Sequence, residues 1–296
     1  MGRHEHVRVG DGVVEIIVDE GAPADAGLLL YHHGTPAAGP LSEPMLRASR
    51  GAGLRLVELV RPGYGASTRA EGRSVADVVP LVSAVADHLR HDRFVSIGWS
   101  GGGPHVLATA AALPDRCAAA LCLAGVAPVD ASGLNWLAGM GEDNWHEFGA
   151  ALAGSWALER YLTEAAAELA TISAGDVVAA MASLLPDADR ASLAGGGAAH
   201  MAEELRWSVA SGIWGWHDDD IAFVTPWGFD PAAITVPVLV WQGTDDLMVP
   251  VTHGRWLAAT VPTAEPTIVP GEGHLSLEGR LDDGLRRLGD LLRTSA

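Results

Sequence analysis

Phe94-Val95-Ser96-Ile97-Gly98-Trp99-Ser100-Gly101-Gly102 is the stretch from which the rest of the chain can be read. Residues 94–97 form a short apolar run of strand-favouring side chains. Gly98 to Gly102 matches G-x-S-x-G, and the residues after it suit a helix. Pro104 falls near the start of that helix, where a missing N–H costs little. Strand, tight turn and helix in this order are the context a nucleophile elbow requires. The serine of such an elbow is held in a strained backbone conformation, so small neighbours are needed on either side. Its hydroxyl stands above the sheet, where the following helix aims its first amides and its positive dipole end. The pentapeptide alone is also compatible with a glycine turn that carries an incidental serine.

Working outward, further short apolar runs occur at residues 13–18, 28–32, 54–60 and 118–123. Between two of them, Val78, Leu81, Val82, Val85 and Leu89 repeat at helical spacing within residues 75–89. Short apolar strands separated by helices predict a parallel sheet covered on both faces. From about residue 129 to 231 the β-branched runs vanish. Helix-like segments take over, with Leu158, Leu162 and Leu169 on one stripe, and seven of the ten tryptophans lie there. Strand-like segments return at 236–241 and 267–269, with helices at 252–260 and 275–292. The predicted organisation is an α/β core of residues 1–128 and 232–296, interrupted by a helical unit of residues 129–231.

Composition narrows the chemistry. The chain has 296 residues, 37 acidic and 19 basic side chains, and a formal net charge of −18. All the basic residues are arginine. Without lysine there is no lysine Schiff base and no Walker A lysine. The acidic balance argues against nucleic acid and against an anionic membrane surface as partners. The opening residues, Met1 to His6, contain no apolar stretch like a signal peptide. No apolar run approaches the roughly 18 residues of a spanning helix. A soluble, cytoplasmic monomer or homodimer acting on a small molecule is expected. Cys117 and Cys122 sit five apart in one apolar run, which puts their side chains on opposite faces of a strand and predicts buried, unpaired thiols. No His/Cys cluster has ligand spacing, so neither metal nor cofactor is expected.

Two later features complete a catalytic pattern. His33-Gly34-Thr35-Pro36 follows the strand at 28–32. A nucleophilic serine needs two backbone amides aimed at the developing oxyanion. One is expected from Gly101, after the nucleophile, and the other from Thr35; Pro36 has no N–H to offer. Past the helical unit come Gly243-Thr244-Asp245-Asp246-Leu247-Met248-Val249-Pro250 and then Gly271-Glu272-Gly273-His274. Serine, acid and histidine thus occur in the chain order of this class of hydrolase. His274 is the candidate base, in a glycine-rich loop after a strand, whereas His253 falls within an expected helix. Spacing alone does not choose between Asp245 and Asp246.

Together these segments resemble the α/β-hydrolase superfamily along essentially the whole chain. The residues that carry the resemblance are His33-Gly34, Arg61-Pro62-Gly63-Tyr64-Gly65-Ala66-Ser67, the Ser100 elbow, the Gly243 to Pro250 loop and Gly273-His274. The resemblance implies a mostly parallel eight-stranded sheet flanked by helices, with a helical cap inserted after strand six. It also implies a catalytic Ser100–His274–Asp246 triad, since relatives often read G-x-x-D-x-x-V-P in the acid loop. An acid after strand six, here Asp130, is the weaker option. Thr35 and Gly101 would form the oxyanion hole. Trp99, Trp207 and Trp214 are the candidate pocket residues, the last two expected on one helix face with Ser211. Asp218-Asp219-Asp220 reads as a solvated turn or helix end.

The expected activity is serine-dependent hydrolysis of a small, largely apolar ester, thioester or lactone through an acyl-enzyme. A carbon–carbon bond hydrolase and an aminopeptidase or amidase are alternatives on the same triad. A non-catalytic ligand-binding protein that keeps the fold is the alternative of another kind.

Overall fold

The computed structural model describes residues 2–23 and 25–294. Among these residues eight strands form one sheet: β1 (Gly2–Val9), β2 (Gly12–Asp19), β3 (Gly27–His32), β4 (Leu54–Val60), β5 (Phe94–Trp99), β6 (Cys117–Leu123), β7 (Val238–Gly243) and β8 (Ala264–Val269). Their order is β1-β2-β4-β3-β5-β6-β7-β8. β2 pairs antiparallel with both β1 and β4. Every pair from β4 to β8 is parallel. The central strands are buried along their length, β6 at every residue. This is why they read as continuous apolar runs rather than alternating ones.

Among the described residues, eleven α-helices accompany the sheet: α1 (Glu43–Gly51), α2 (Val79–His88), α3 (Gly102–Ala112), α4 (Glu142–Ala153), α5 (Ser155–Leu169), α6 (Val177–Ala180), α7 (Asp187–Ser192), α8 (Gly197–Val209), α9 (Trp214–Phe223), α10 (Val251–Thr260) and α11 (Leu281–Thr294). Alternate residues along each strand feed two cores. Leu28, Leu30, Val57 and Leu59 pack with Val82 and Val85 of α2, Val106 and Leu107 of α3 and Leu257 of α10. Leu29, Leu56, Val95 and Ile97 pack with Met45 and Leu46 of α1 and Leu281, Leu285 and Leu288 of α11. Between β6 and β7 every regular element is helical, α4 to α9 with one 3-10 turn among them and another just before β7. Among the described residues no helix is long and apolar enough to cross a membrane.

Within the fold, the structure departs from the sequence reading at β1, α1, the cysteines and the run of aspartates. β1 was not expected, because its residues are mostly polar and solvent-facing, with only Val7 buried. α1 was not expected either; Ser42 caps it by accepting the Met45 N–H. Cys117 and Cys122 are free and buried as expected, but not on opposite faces. The β5–β6 register shifts between Phe94 and Val95, which pair with Cys117 and Ala119. The extra residue turns Cys117 to the same core layer as Cys122. They remain on the order of 15 Å apart along the strand, too far to bridge. Finally, Asp218, Asp219 and Asp220 are not solvated: they lie inside α9 and are all buried.

Candidate active site

The chain leaves β5 at Trp99 and enters α3 at Gly102, and Ser100 occupies the turn between them with φ +54°. That is the left-handed region, costly for a residue with a Cβ. The turn is fixed by the Ser100 N–H donating to the Leu123 carbonyl at 2.9 Å, and by the Gly103 N–H donating to the Ser100 carbonyl at 2.8 Å. Gly98 and Gly102 are required by close approach. A Cβ at Gly98 would collide with the Gly102 carbonyl, and one at Gly102 with the His32 carbonyl at the end of β3.

Asp246 follows β7 and His274 follows β8, so both sit at the carboxyl ends of their strands. His274 Nδ1 and Asp246 Oδ2 are 2.8 Å apart, and both residues are buried. Asp246 is held in turn: Oδ1 accepts the Met248 and Val249 N–H groups at 2.8 Å, and Oδ2 accepts Gln242 Nε2 at 2.8 Å. Burial opposes protonation of His274, but the charge and hydrogen bond of Asp246, helped by Asp189, outweigh it. The imidazole is thereby held above its ordinary range. Neighbouring Asp245 instead accepts from Thr244 Oγ1, and Asp130 is exposed in a turn. His253 is buried in α10, where it accepts the Ala127 N–H and faces the Trp136 carbonyl. Burial pushes its imidazole down to about 4.

Ser100, His274, Gly34, Thr35 and Trp99 line one cavity of about 610 Å³. Thr35 and Gly101 are neighbours, since a Cβ on Gly101 would strike the Thr35 hydroxyl. That hydroxyl is engaged elsewhere: it donates to Asp219 Oδ2 at 2.8 Å and accepts from Arg61 Nη2 at 2.9 Å.

Of the tryptophans expected at the pocket, Trp99 lines the cavity, whereas Trp207 and Trp214 do not. α8 ends at Val209 and Gly212 has φ +98°, so Trp207 and Trp214 belong to different helices. Trp207 packs on the loop glycines Gly39 and Gly65. Trp214 lies under the Arg69 guanidinium, 3.9 Å from its ring centre. Trp216, two residues on, reaches the cavity and donates its Nε1–H to Glu147 at 2.8 Å.

Two acidic residues of the helical segment brace this site: Asp219, which the sequence reading took as solvated, and Asp189, which it did not single out. Asp219 accepts from Arg61 at 2.6 Å, from Arg73 at 2.6 Å and from the Tyr64 hydroxyl at 3.0 Å. Arg61 also donates to the carbonyls of His33 and Gly34, at 2.5 and 2.7 Å. His33 completes the brace: its Nδ1 bonds the Gly34 carbonyl at 2.7 Å and its Nε2 accepts the Arg61 N–H at 3.1 Å. Burial favours a neutral Asp219, yet the two guanidiniums hold its carboxyl well below the usual range. Asp189 of α7 is fully buried and accepts the N–H groups of His274, Leu275 and Ser276 at 2.8 to 2.9 Å. The apolar flanks of the acidic run, Trp216 and Phe223, were the available sign that it is not solvated. Nothing in the chain around Asp189 marks its role.

A family model described as alpha/beta hydrolase fold matches residues 27–280. A bifunctional esterase/perhydrolase from Acinetobacter calcoaceticus is 30% identical over 126 residues. That match covers 42% of this chain and 45% of the relative, so less than half of that curated protein's length is spanned. An alpha/beta hydrolase fold protein from Nakamurella multipartita superposes with a TM-score of 0.65 at 24% identity, over 99% of this chain and 100% of that one. An esterase from Rhodococcus sp. gives 0.66 at 20% identity, covering 98% and 99%. The enol-lactonase from Burkholderia xenovorans gives 0.66 at 18%, covering 98% and 100%. These three likenesses concern the fold.

Proposed function

Since this chain belongs to the alpha/beta hydrolase fold family, we propose that it is a serine hydrolase of esterase type. Its substrate is a small, largely apolar ester, thioester or lactone. The observation that carries this reading is the strained turn of Ser100, φ +54°, opening on the cavity that His274 also lines.

In this reading Ser100 Oγ attacks the substrate carbonyl while His274 takes its proton. Asp246 fixes the tautomer with the free proton position on Nε2 and stabilises the imidazolium that forms. The amides of Thr35 and Gly101 receive the oxyanion. His274 then returns the proton to the leaving group, and water clears the acyl-enzyme by the same steps in reverse. The fully braced loop from His33 to Thr35 supports this role, because an oxyanion donor works only if it is fixed before charge develops. Residues 129–231 act as a helical cap on the core of residues 1–128 and 232–296, and supply much of the cavity wall.

A panel of p-nitrophenyl acetate, butyrate and octanoate tests the reading. Turnover of the shorter esters by the wild-type protein, lost in Ser100→Ala, is the expected result. Undiminished turnover in the variant rules out Ser100 as nucleophile.

A further inference from the structure

The cavity above Ser100 is lined by six acidic side chains against two histidines, His200 and His274. Asp143, Glu147, Glu168, Asp176, Glu204 and Glu278 line it, and no arginine does among the described residues. Glu168 and Asp176 are exposed, at the rim. Four of the six are satisfied or half satisfied within the protein. Asp143 accepts from Ser183, Asp176 from Ser173, Glu147 from Trp216, and Glu278 from Ser42 at 2.9 Å.

Glu204 differs from them. It lies half-buried on α8, its side chain forms no hydrogen bond among the described residues, and the charges of Glu58 and Glu278 act on it. Burial, reinforced by those two like charges, pushes its carboxyl well above the usual range. Tyr31 stands beside it on β3. Tyr31 is 8% exposed, lines the same cavity as Glu204 and Glu278, and pairs with Glu58 across β3 and β4; its hydroxyl has no hydrogen-bond partner among the described residues. The charge of Arg61 acts on Tyr31 and Glu58, but Asp219 engages that guanidinium. A phenol and a carboxyl without a protein hydrogen-bond partner thus open on the cavity rather than lying sealed in the core, where a ligand can reach them.

We propose that Tyr31, Glu204 and Glu278 form an ammonium subsite, so that the substrate carries a protonated basic nitrogen that docks there while its carbonyl stands at Ser100. The proposal rests on the serine-hydrolase reading for the position of the carbonyl. An organic cation fits better than a metal ion, because no group of three His, Cys, Asp or Glu among the described residues converges closely enough to hold one. The neighbouring wall is apolar, with Leu41, Met45 and Trp99, and suits the alkyl groups of an amine. Trp99 adds an aromatic face that attracts a cation. An arriving positive charge favours ionised carboxylates, which the empty cavity resists.

Two butyrate esters of the same shape test this. 3-(Dimethylamino)propyl butyrate is a cation at pH 7.5, and 4-methylpentyl butyrate is its neutral carbon isostere. Wild-type kcat/KM should favour the cation by at least tenfold, and Glu204→Gln should lower that ratio at least fivefold. A wild-type ratio of one or less overturns the subsite, as does a ratio that survives both Glu204→Gln and Glu278→Gln. Should neither ester be cleaved, the serine-hydrolase reading falls instead. The subsite is then judged by calorimetric binding of the intact esters to Ser100→Ala. Tenfold tighter binding of the cation supports it and equal binding overturns it.

Discussion

Arg61 and Asp219 meet at 2.6 Å with neither side chain exposed to solvent. They are 158 positions apart in the chain, and their contact fastens the His33–Thr35 loop to α9. Removing one partner of such a pair leaves a buried charge uncompensated, at a cost of about 3–5 kcal/mol. Asp219→Ala is expected to lose stability on that scale in urea, because it strands both Arg61 and Arg73. A loss below about 1 kcal/mol would show that the pair does not brace the loop.

Asp189 holds His274 by its backbone rather than its ring. Asp189→Ala deprives three consecutive N–H groups of their acceptor. A misplacement of about 1 Å at a reacting group can cost on the order of 10²-fold in rate. The expected result in steady-state kinetics is a kcat reduced roughly 10–100-fold with KM changed far less. A change confined to KM would assign Asp189 to substrate binding instead.

The pH profile of kcat/KM should report the base. His274 must be neutral to accept the Ser100 proton, so activity falls as pH drops through its pKa. Asp246 holds that imidazole above its ordinary 6.5. The acidic limb should therefore have its midpoint above 6.5. Asp246→Asn should cost about 10⁴-fold in kcat and move the midpoint of the residual activity downward. An unshifted midpoint would remove Asp246 as the partner.

Glu147 faces Asp220 in a buried carboxyl pair. Burial drives both upward, Glu147 to about 7, and the Trp216 hydrogen bond offsets part of the rise. The folded protein therefore binds more protons here than the unfolded chain does above pH 4.5. Stability from the pair is present in full below that value and declines as pH rises toward 7 and beyond. Glu147→Gln removes one titrating group at nearly constant shape. The wild-type-minus-variant stability should fall by on the order of 2 kcal/mol between pH 5.5 and 8.5. A difference independent of pH contradicts the raised Glu147 carboxyl.

What the sequence disclosed and what it concealed follow from the range of the interactions. The β5–Ser100–α3 turn is local, so five residues spell it out. The parallel strands are legible because burial on both faces makes them apolar throughout. β1 escaped because an edge strand facing solvent shows no apolar run. The face-sharing of Trp207 and Trp214 failed because one glycine, Gly212, ends the continuity between α8 and α9. The Cys117–Cys122 parity failed because one extra residue reverses strand alternation. Arg61–Asp219 and Asp189–His274 join distant segments, and a run of three aspartates looks solvated until its counter-charges come into view.

The central claim is that Ser100 is the nucleophile, and a fluorophosphonate reagent tests it most directly. Intact mass spectrometry of the treated protein, followed by peptide mapping, should show one adduct, on the peptide carrying Gly98-Trp99-Ser100. Ser100→Ala should show none. Labelling that persists in Ser100→Ala, or that maps to another residue, contradicts the account.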